Sequence, residues 1–227
     1  AGAAVWDCRL QPATMSRPGN IDGVIEMLLR YSPTSPFVRK VTVLLRETGL
    51  ADLVVLETVD GWSEPGQLTE DNPLSMVPTL VLSDGSTLYD SPVICEYLDR
   101  LHDATPMIPA DGDARWQVLR EQALAEGILD CAVLIFVELR RRPEELRWDW
   151  WLELKRRAIR RSLDWLEREL ATFEGRVDLG VVSIGVALGY LDLRGAVGEW
   201  RAGRPGLAAW YADIAQRPSM IATAVSP

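Results

Sequence analysis

The chain has 227 residues, with 24 basic and 33 acidic side chains that give a formal net charge of −9. An acidic chain of ordinary globular composition is poorly suited to bind nucleic acid or an anionic membrane surface. The longest apolar run, residues 179–191, is interrupted by glycines and a serine and is too short to span a bilayer. We therefore expect neither nucleic acid nor a membrane as a partner, and either one large or two small domains.

The sequence carries no export or disulfide signal. Residues 1–24 lack the charged start, apolar segment and cleavage site of a signal peptide, and are interpreted as an extension or tag. The cysteines have no paired spacing, which predicts a reducing, cytoplasmic compartment and no metal site. Cys95 and Cys131 lie within predicted helices and are interpreted as buried apolar thiols. The single histidine, His102, is expected at a solvated helix end, which argues against a catalytic triad.

The first half of the chain predicts alternating strands and helices. In chain order these are a strand at 25–30, a helix from Pro36 that stops at Gly49, a strand at 53–59, a hairpin at 79–89 and a helix from Pro92 to Leu101. A strand–helix–strand unit of this length implies a parallel pair of strands with a right-handed crossover.

The second half predicts helices and no strand. A proline- and glycine-containing linker precedes it. The predicted helices lie at 114–142, 144–173, 183–194 and 206–217, and a short element follows Pro218.

The segment Tyr31 to Lys40, with the sequence YSPTSPFVRK, predicts a helix N-terminus that can bind an anion. Ser35 is expected to cap the helix, because its oxygen can accept a free N–H of the first turn. Pro36 at the first helical position loses no hydrogen bond. The helix dipole favours an anion, such as a thiolate, beside the Ser35 hydroxyl. Taken alone, these residues are more typical of an ordinary helix cap.

Two further pairs of residues are suited to bind a peptide. Pro78 stands immediately before a predicted strand, and a cis bond there leaves the Val77 N–H and C=O available to an extended ligand. Asp90 can pair with an ammonium group, and Ser91 at a helix N-terminus can hold a carboxylate. This second pair suits an amino-acid head group. An ordinary trans proline and another capped helix are the alternatives.

In this order and spacing the motifs resemble the cytosolic glutathione S-transferase family. The matching segments are SPTSPFVRKVTVLLRETGL, NPLSMVPTLVLSDGSTLYDSPVICEYLD and RPSMIAT, and the Ser-Pro-Phe-Val-Arg-Lys form is most similar to a bacterial subgroup. The resemblance implies the family's fold class, an α/β thioredoxin-like N-terminal domain plus an all-α C-terminal domain. The expected boundaries are 25–102 for the first domain, 103–110 for the linker and 111–227 for the second.

The resemblance implies glutathione as the co-substrate. Val77 and Pro78 would present the backbone that pairs with the glutathione cysteine, and Asp90 and Ser91 would hold the γ-glutamyl end. Met76 replaces the basic or amide residue that the family often has before Val-Pro, so the residue that binds the glycine carboxylate is not identified.

The resemblance also implies a catalytic hydroxyl. Ser35 occupies the position of the catalytic Ser or Cys of several classes, where a hydroxyl donates to the glutathione thiolate, and Ser32 and Thr34 are its rivals. Pro33, Thr34 and Phe37 are expected to line the pocket for the electrophile.

The implied function is a transferase that activates the glutathione thiolate for attack on a small hydrophobic electrophile. Alternatives on the same fold are a glutathione-dependent isomerase, dehalogenase or ether-cleaving enzyme, and a non-catalytic binding protein. The family also implies a homodimer. In the helical half, Ser183 to Val186 is interpreted as a helix-capping box. It has the N-cap residue, Ser183, but Val186 stands where the family usually has an aspartate.

Overall fold

The computed structural model describes residues 27–60 and 66–225. Within these ranges, the first half contains four strands and three α-helices: β1 (Met27–Tyr31), α1 (Pro36–Glu47), β2 (Val54–Thr58), α2 (Gln67–Asp71), β3 (Thr79–Val81), β4 (Thr87–Leu88) and α3 (Ser91–Leu98). The second half contains helices: α4 (Gly112–Arg140), α5 (Asp149–Arg168), α6 (Leu179–Arg194), α7 (Pro205–Ile214) and α8 (Pro218–Ala222). The interpretation of residues 1–24 concerns a part of the chain outside the described residues.

The four strands form one mixed sheet in the order β2-β1-β3-β4. β1 is parallel to β2, β3 is antiparallel to β1, and β4 is antiparallel to β3. The parallel pair and the hairpin expected from the sequence are therefore both present. The register places Arg30 opposite Thr79 and Leu80 opposite Leu88. The C-terminal ends of β1 and β4 and the N-terminal end of β3 consequently lie at the same end of the sheet.

One hydrophobic core joins the two halves, extending from Met27 in β1 to Met220 in α8. Helix α1 is central to it, because it packs against α3 in its own half and against α4, α6 and α8 in the other. Within the described residues, no helix combines the length and apolarity needed to cross a bilayer.

Helix α6 begins four residues before its predicted start, and the expectation that Ser183 caps it is wrong. Asp178 is the N-cap, and its Oδ1 accepts the N–H of Val181 at 3.1 Å. Ser183 lies inside the helix, where its hydroxyl donates to the Leu179 carbonyl at 2.6 Å. Nearly every residue of this helix is buried, so hydrophobic periodicity does not mark its first turn.

Other differences concern helix ends and short elements. The predicted helix 144–173 is a 3-10 turn at Glu144–Leu146 followed by α5, and α2 lies between the strand predicted at 53–59 and the predicted hairpin, where no helix was expected. His102 is not solvated. Its side chain is 4% exposed, and its Nε2 lies 3.1 Å from Oδ1 of Asp99.

Three tryptophans stack at the start of α5. The ring of Trp148 lies 5.1 Å from that of Trp150 and 6.3 Å from that of Trp151, centroid to centroid. Trp148 and Trp150 are more than half exposed, so this stack is part of the surface.

Candidate active site

The segments that the sequence singled out meet at one end of the sheet. The loop carrying Ser35 follows the C-terminal end of β1, and Val77–Pro78 immediately precedes β3. Asp90–Ser91 follows the C-terminal end of β4. Since the strand register brings these three ends together, one ligand can contact all three segments.

Ser35 caps α1, as expected. Its Oγ accepts the N–H of Val38 at 3.4 Å, and Pro36 takes the first helical position. A hydroxyl that accepts in this way still has its hydrogen available to donate. No acidic residue lies in the first turn of α1, so the positive end of the helix dipole is not neutralised there. Ser35 therefore offers a donor and a positive potential to an anion.

The Val77–Pro78 bond is cis, as the sequence analysis expected. The buried side chain of Asn72 braces this loop, which sequence reasoning missed. Its Nδ2 donates to the Met76 carbonyl at 3.1 Å and to Oγ1 of Thr79 at 3.0 Å. Met76 itself is 64% exposed. The amide of Asn72 thus holds the backbone on both sides of Val77–Pro78.

Asp90, and not Ser91, is the N-cap residue of α3, and its side chain is exposed without a capping hydrogen bond. Ser91 is the first helical residue and is 1% exposed. Its hydroxyl donates to Oε1 of Glu126 in α4 at 3.2 Å. The Asp90 carboxylate is therefore free to meet a ligand, whereas the Ser91 hydroxyl is already engaged.

A partly buried ion pair lies next to the start of α3. Lys40 in α1 is 0% exposed and pairs with the Glu126 carboxylate that also accepts from Ser91. The sequence analysis missed the pair. The available signal was the position of Lys40 on the buried face of α1, four residues after Pro36 and four before Leu44.

Carboxylates lie near the same helix start. Burial raises the pKa of Asp130 in α4, and the carboxylates of Glu126 and Asp90 raise it further. These three groups therefore lie close enough to interact, and since Glu126 is already paired with Lys40, the exposed Asp90 is the carboxylate that can meet a cation at the start of α3. Within the described residues, no group of three or more His, Cys, Asp or Glu side chains is arranged to hold a metal ion.

Two adjoining cavities lie beside Ser35. The smaller, of about 20 Å³, lies between α1 and α6 and is bordered by Thr34, Ser35, Pro36, Arg39, Gly189 and Tyr190 among others. The larger, of about 520 Å³, lies between α1, β2 and the C-terminal segment. Pro33 borders the larger cavity and Thr34 borders both. Phe37 borders neither and packs, partly buried, against the core.

A small mixed sheet followed by a helical domain, with a capped α1 at the sheet end, is the architecture of the glutathione S-transferases. Residues 34–101 match the family model described as "Glutathione S-transferase, N-terminal domain", and residues 149–213 match "Glutathione S-transferase, C-terminal domain". The chain belongs to the glutathione S-transferase family.

Individual relatives agree with this assignment. The chain is 35% identical over 200 residues to the "Uncharacterized GST-like protein YibF" of Escherichia coli (strain K12), a match that covers 87% of this chain and 98% of the relative. It is 46% identical to a glutathione transferase family member from Pseudomonas fluorescens Pf-5 with bound glutathione, with a TM-score of 0.86 over 88% of this chain and 100% of that one. A second structure of that family member contains S-(propanoic acid)-glutathione and matches with 46% identity and a TM-score of 0.80, over 88% of this chain and 98% of that one.

Proposed function

We propose that the protein is a glutathione-dependent transferase that activates the glutathione thiolate for attack on a small electrophile. The observation that carries the proposal is Ser35, a hydroxyl cap on a helix N-terminus without a neutralising acid. It lies at the sheet end where Val77–Pro78 and Asp90–Ser91 also lie. The Pseudomonas fluorescens structures with glutathione and with a glutathione conjugate support it. We assign the chain to the bacterial Ser-Pro-Phe-Val-Arg-Lys subgroup.

Glutathione would lie across the sheet end in an extended conformation. The Val77 backbone N–H and C=O would pair with the backbone of its cysteine. The exposed Asp90 carboxylate would meet the ammonium group of the γ-glutamyl residue. Since the Ser91 hydroxyl donates to Glu126, the free N–H groups at the start of α3 would hold the γ-glutamyl carboxylate.

The chemical task of the site is to ionise the bound thiol. A thiol with a pKa near 8.5 is only slightly ionised at neutral pH, and lowering the pKa by ~2 units requires roughly 2.7 kcal/mol. The Ser35 hydroxyl hydrogen and the α1 dipole would supply this stabilisation. The thiolate then forms a sulfur–carbon bond to the electrophile, and either a leaving group departs with its electron pair or a solvent proton completes an addition.

The active protein is proposed to be a cytoplasmic homodimer. The described cysteines are unpaired, and large apolar side chains are exposed on adjoining helices, such as Val93 of α3 and Leu134 of α4. A twofold partner would cover such a surface.

Light scattering at micromolar concentration should give about twice the subunit mass of 25.3 kDa, and a value equal to one subunit would contradict the dimer.

Calorimetry with glutathione tests the proposed binding site. We expect micromolar to millimolar affinity, roughly −4 to −8 kcal/mol. Asp90→Ala should weaken binding because it removes the exposed carboxylate at the start of α3. Asp84→Ala, in the hairpin turn, is the control, and equal effects of the two variants would remove Asp90 from the site.

Ser35→Ala tests the thiolate assignment. The variant should raise the pH at which bound glutathione ionises, followed by thiolate absorbance, and should slow conjugation of an aryl halide by ~10-fold, near 1.4 kcal/mol. Ser32→Ala and Thr34→Ala are matched controls. If either control abolishes ionisation while Ser35→Ala leaves it unchanged, the neighbouring hydroxyl is the catalytic one.

A further inference from the structure

Arg39 is a partly buried arginine beside Ser35 that lacks an acidic partner. It follows Ser35 by one helical turn, and its backbone N–H donates to the Ser35 carbonyl at 3.0 Å. Its side chain borders both cavities. Among the described residues, the guanidinium makes one hydrogen bond, from Nη2 to the Met220 carbonyl at 3.1 Å, and its buried Nε has no partner there. No ion pair among the described residues includes Arg39.

Several other buried or partly buried arginines have acidic partners. Arg30, Arg176 and Arg217 each pair with one or more carboxylates. A guanidinium presents five N–H donors in a rigid fork and stays protonated in proteins. Burial lowers the pKa of Arg39, which indicates that its charge is partly desolvated. An anion that entered the cavities would meet a positive charge and free donors.

Helix α6 leaves room for this guanidinium. A Cβ on Gly189 would lie 2.6 Å from Nη1 of Arg39 and 2.8 Å from Oη of Tyr211. Burial raises the pKa of Tyr211, so its hydroxyl stays neutral and does not supply a counter-ion. The absence of a side chain at position 189 is therefore what lets the charge of Arg39 lie at the cavity wall.

Arg194 of α6 also has no ion pair within the described part of the chain, and its Nε is buried without a partner. It stacks over the ring of Phe136 at 4.2 Å and borders neither cavity. Arg39 is therefore the described cation at the wall of the smaller cavity, and no described acidic residue borders that cavity.

We propose that Arg39 binds the carboxylate of an anionic electrophile, so that small carboxylic acids with a reactive carbon are better substrates than neutral hydrophobic compounds. The inference rests on the proposed function, because it needs a thiolate at Ser35. Ser35 and Arg39 border the same small cavity. A carboxylate only two or three bonds from the carbon that sulfur attacks can therefore meet the guanidinium while that carbon faces the thiolate.

An α,β-unsaturated acid illustrates the step. The glutathione sulfur forms a bond to the β carbon while the electron pair of the double bond moves to the α carbon. The α carbon then takes a proton from solvent, which balances the proton that the thiol released. The carboxylate is unchanged and remains on Arg39 throughout.

Calorimetry with two glutathione conjugates tests the inference. S-(2-carboxyethyl)glutathione carries the carboxylate, and S-(2-carbamoylethyl)glutathione is its neutral counterpart of nearly equal size. The unmodified protein should bind the carboxylate conjugate roughly tenfold or more tightly, as expected for a hydrogen-bonded charge pair. Arg39→Gln should abolish that preference and leave the affinity for glutathione itself unchanged. Arg39→Lys should retain part of the preference for the carboxylate conjugate. The thermal unfolding midpoints of the two variants show whether they are folded.

Arg46→Gln is the matched control, because Arg46 is exposed on the same helix and borders only the larger cavity. It should keep the preference. If the unmodified protein binds glutathione but binds both conjugates equally, the carboxylate inference is overturned and the proposed function stands. Retention of the preference in Arg39→Gln overturns the role of Arg39. Failure to bind glutathione or either conjugate rejects both proposals.

Discussion

Burial decides which single side chains near the site can react. Ser35 is partly exposed and lies at a cavity wall, whereas Cys95 in α3 is 0% exposed. Burial raises the pKa of the Cys95 thiol to about 12, against an opposing effect of Lys40. A thiol that is so weakly acidic and so inaccessible is neither a nucleophile nor a redox sensor at neutral pH.

Cys95 should therefore resist alkylation in the folded protein. At pH 7.5 we expect iodoacetamide to modify it at least ~100-fold more slowly than in denaturant, because reaction requires both opening and ionisation. Peptide mass spectrometry distinguishes it from Cys131. The pKa of Cys131 is also raised by burial, but this thiol is partly exposed, so it should react faster. Equal rates for the two thiols would contradict the burial of Cys95.

At the scale of single elements, helices α1 and α6 begin with different capping residues. Ser35 caps α1 through its hydroxyl, and Asp178 caps α6 through a carboxylate that also pairs with Arg176. Arg176 in turn binds Glu121 of α4, which is fully buried. The start of α6 is thus held to α4 by a chain of charged groups.

Asp178→Ala should destabilise the protein by ~1–2 kcal/mol, because it leaves first-turn N–H groups of α6 without an acceptor. Ser183→Ala should cost less, since Ser183 lies inside the helix and its hydroxyl donates to a carbonyl already used by the helix. Urea unfolding of both variants measures the difference, and Asp178→Asn should restore much of the loss. A larger effect of Ser183→Ala would show that α6 starts where the sequence analysis expected.

Elements set by neighbouring residues were predictable from the sequence. The Ser35-Pro36 cap and the hairpin each depend on a few adjacent side chains, whereas the cis bond before Pro78 was expected from the family resemblance. Contacts between distant residues were not. Lys40 and Glu126 are 86 positions apart, and the room that Gly189 gives to Arg39 depends on how α1 packs on α6. Such pairs follow from tertiary packing, which local propensity does not encode.

For the whole molecule, polar links tie α1 to the helical half. Lys40 pairs with Glu126 of α4, and Arg39 donates to the Met220 carbonyl of α8. At the other end of α1, Glu47 accepts from Arg217 at 2.9 and 2.7 Å. With a continuous core beneath them, these links predict that the two halves unfold together.

Lys40→Met should destabilise the folded protein by about 3–5 kcal/mol, because it leaves the Glu126 carboxylate without its cation. The double variant Lys40→Met with Glu126→Leu should recover much of that loss, since no unpaired charge then remains. Equilibrium urea unfolding is the measurement. Arg160→Met breaks the exposed pair with Glu153 and should cost less than about 1 kcal/mol. A double variant no more stable than Lys40→Met would contradict the ion-pair account.

The ion pair between Glu47 and Arg217 should make the stability of the protein depend on pH. Hydrogen bonds from Arg217, and secondarily from Ser219, hold the pKa of Glu47 below its ordinary value of 4.5. A lowered pKa in the folded state stabilises the protein above the unfolded pKa, and this contribution disappears as the pH falls through the folded value. Glu47→Gln should therefore be less stable than the unmodified protein at pH 7, and the difference should shrink as the pH falls below the ordinary value of 4.5.

Unfolding free energies of the two proteins across this range give the measurement. Glu153→Gln, which alters an exposed pair, should show little change with pH. A Glu47→Gln deficit that stays constant from pH 7 to pH 3 would contradict the assignment.

The tryptophan stack at the start of α5 has a consequence for spectroscopy. Trp148 and Trp150 are exposed, so their emission should be red-shifted and quenched by acrylamide. Trp200 and Trp210 are buried in the core, and their emission should shift only when the protein unfolds. Among the described residues, no tryptophan borders either cavity. The fluorescence of these four tryptophans should therefore report unfolding and change little when a ligand binds.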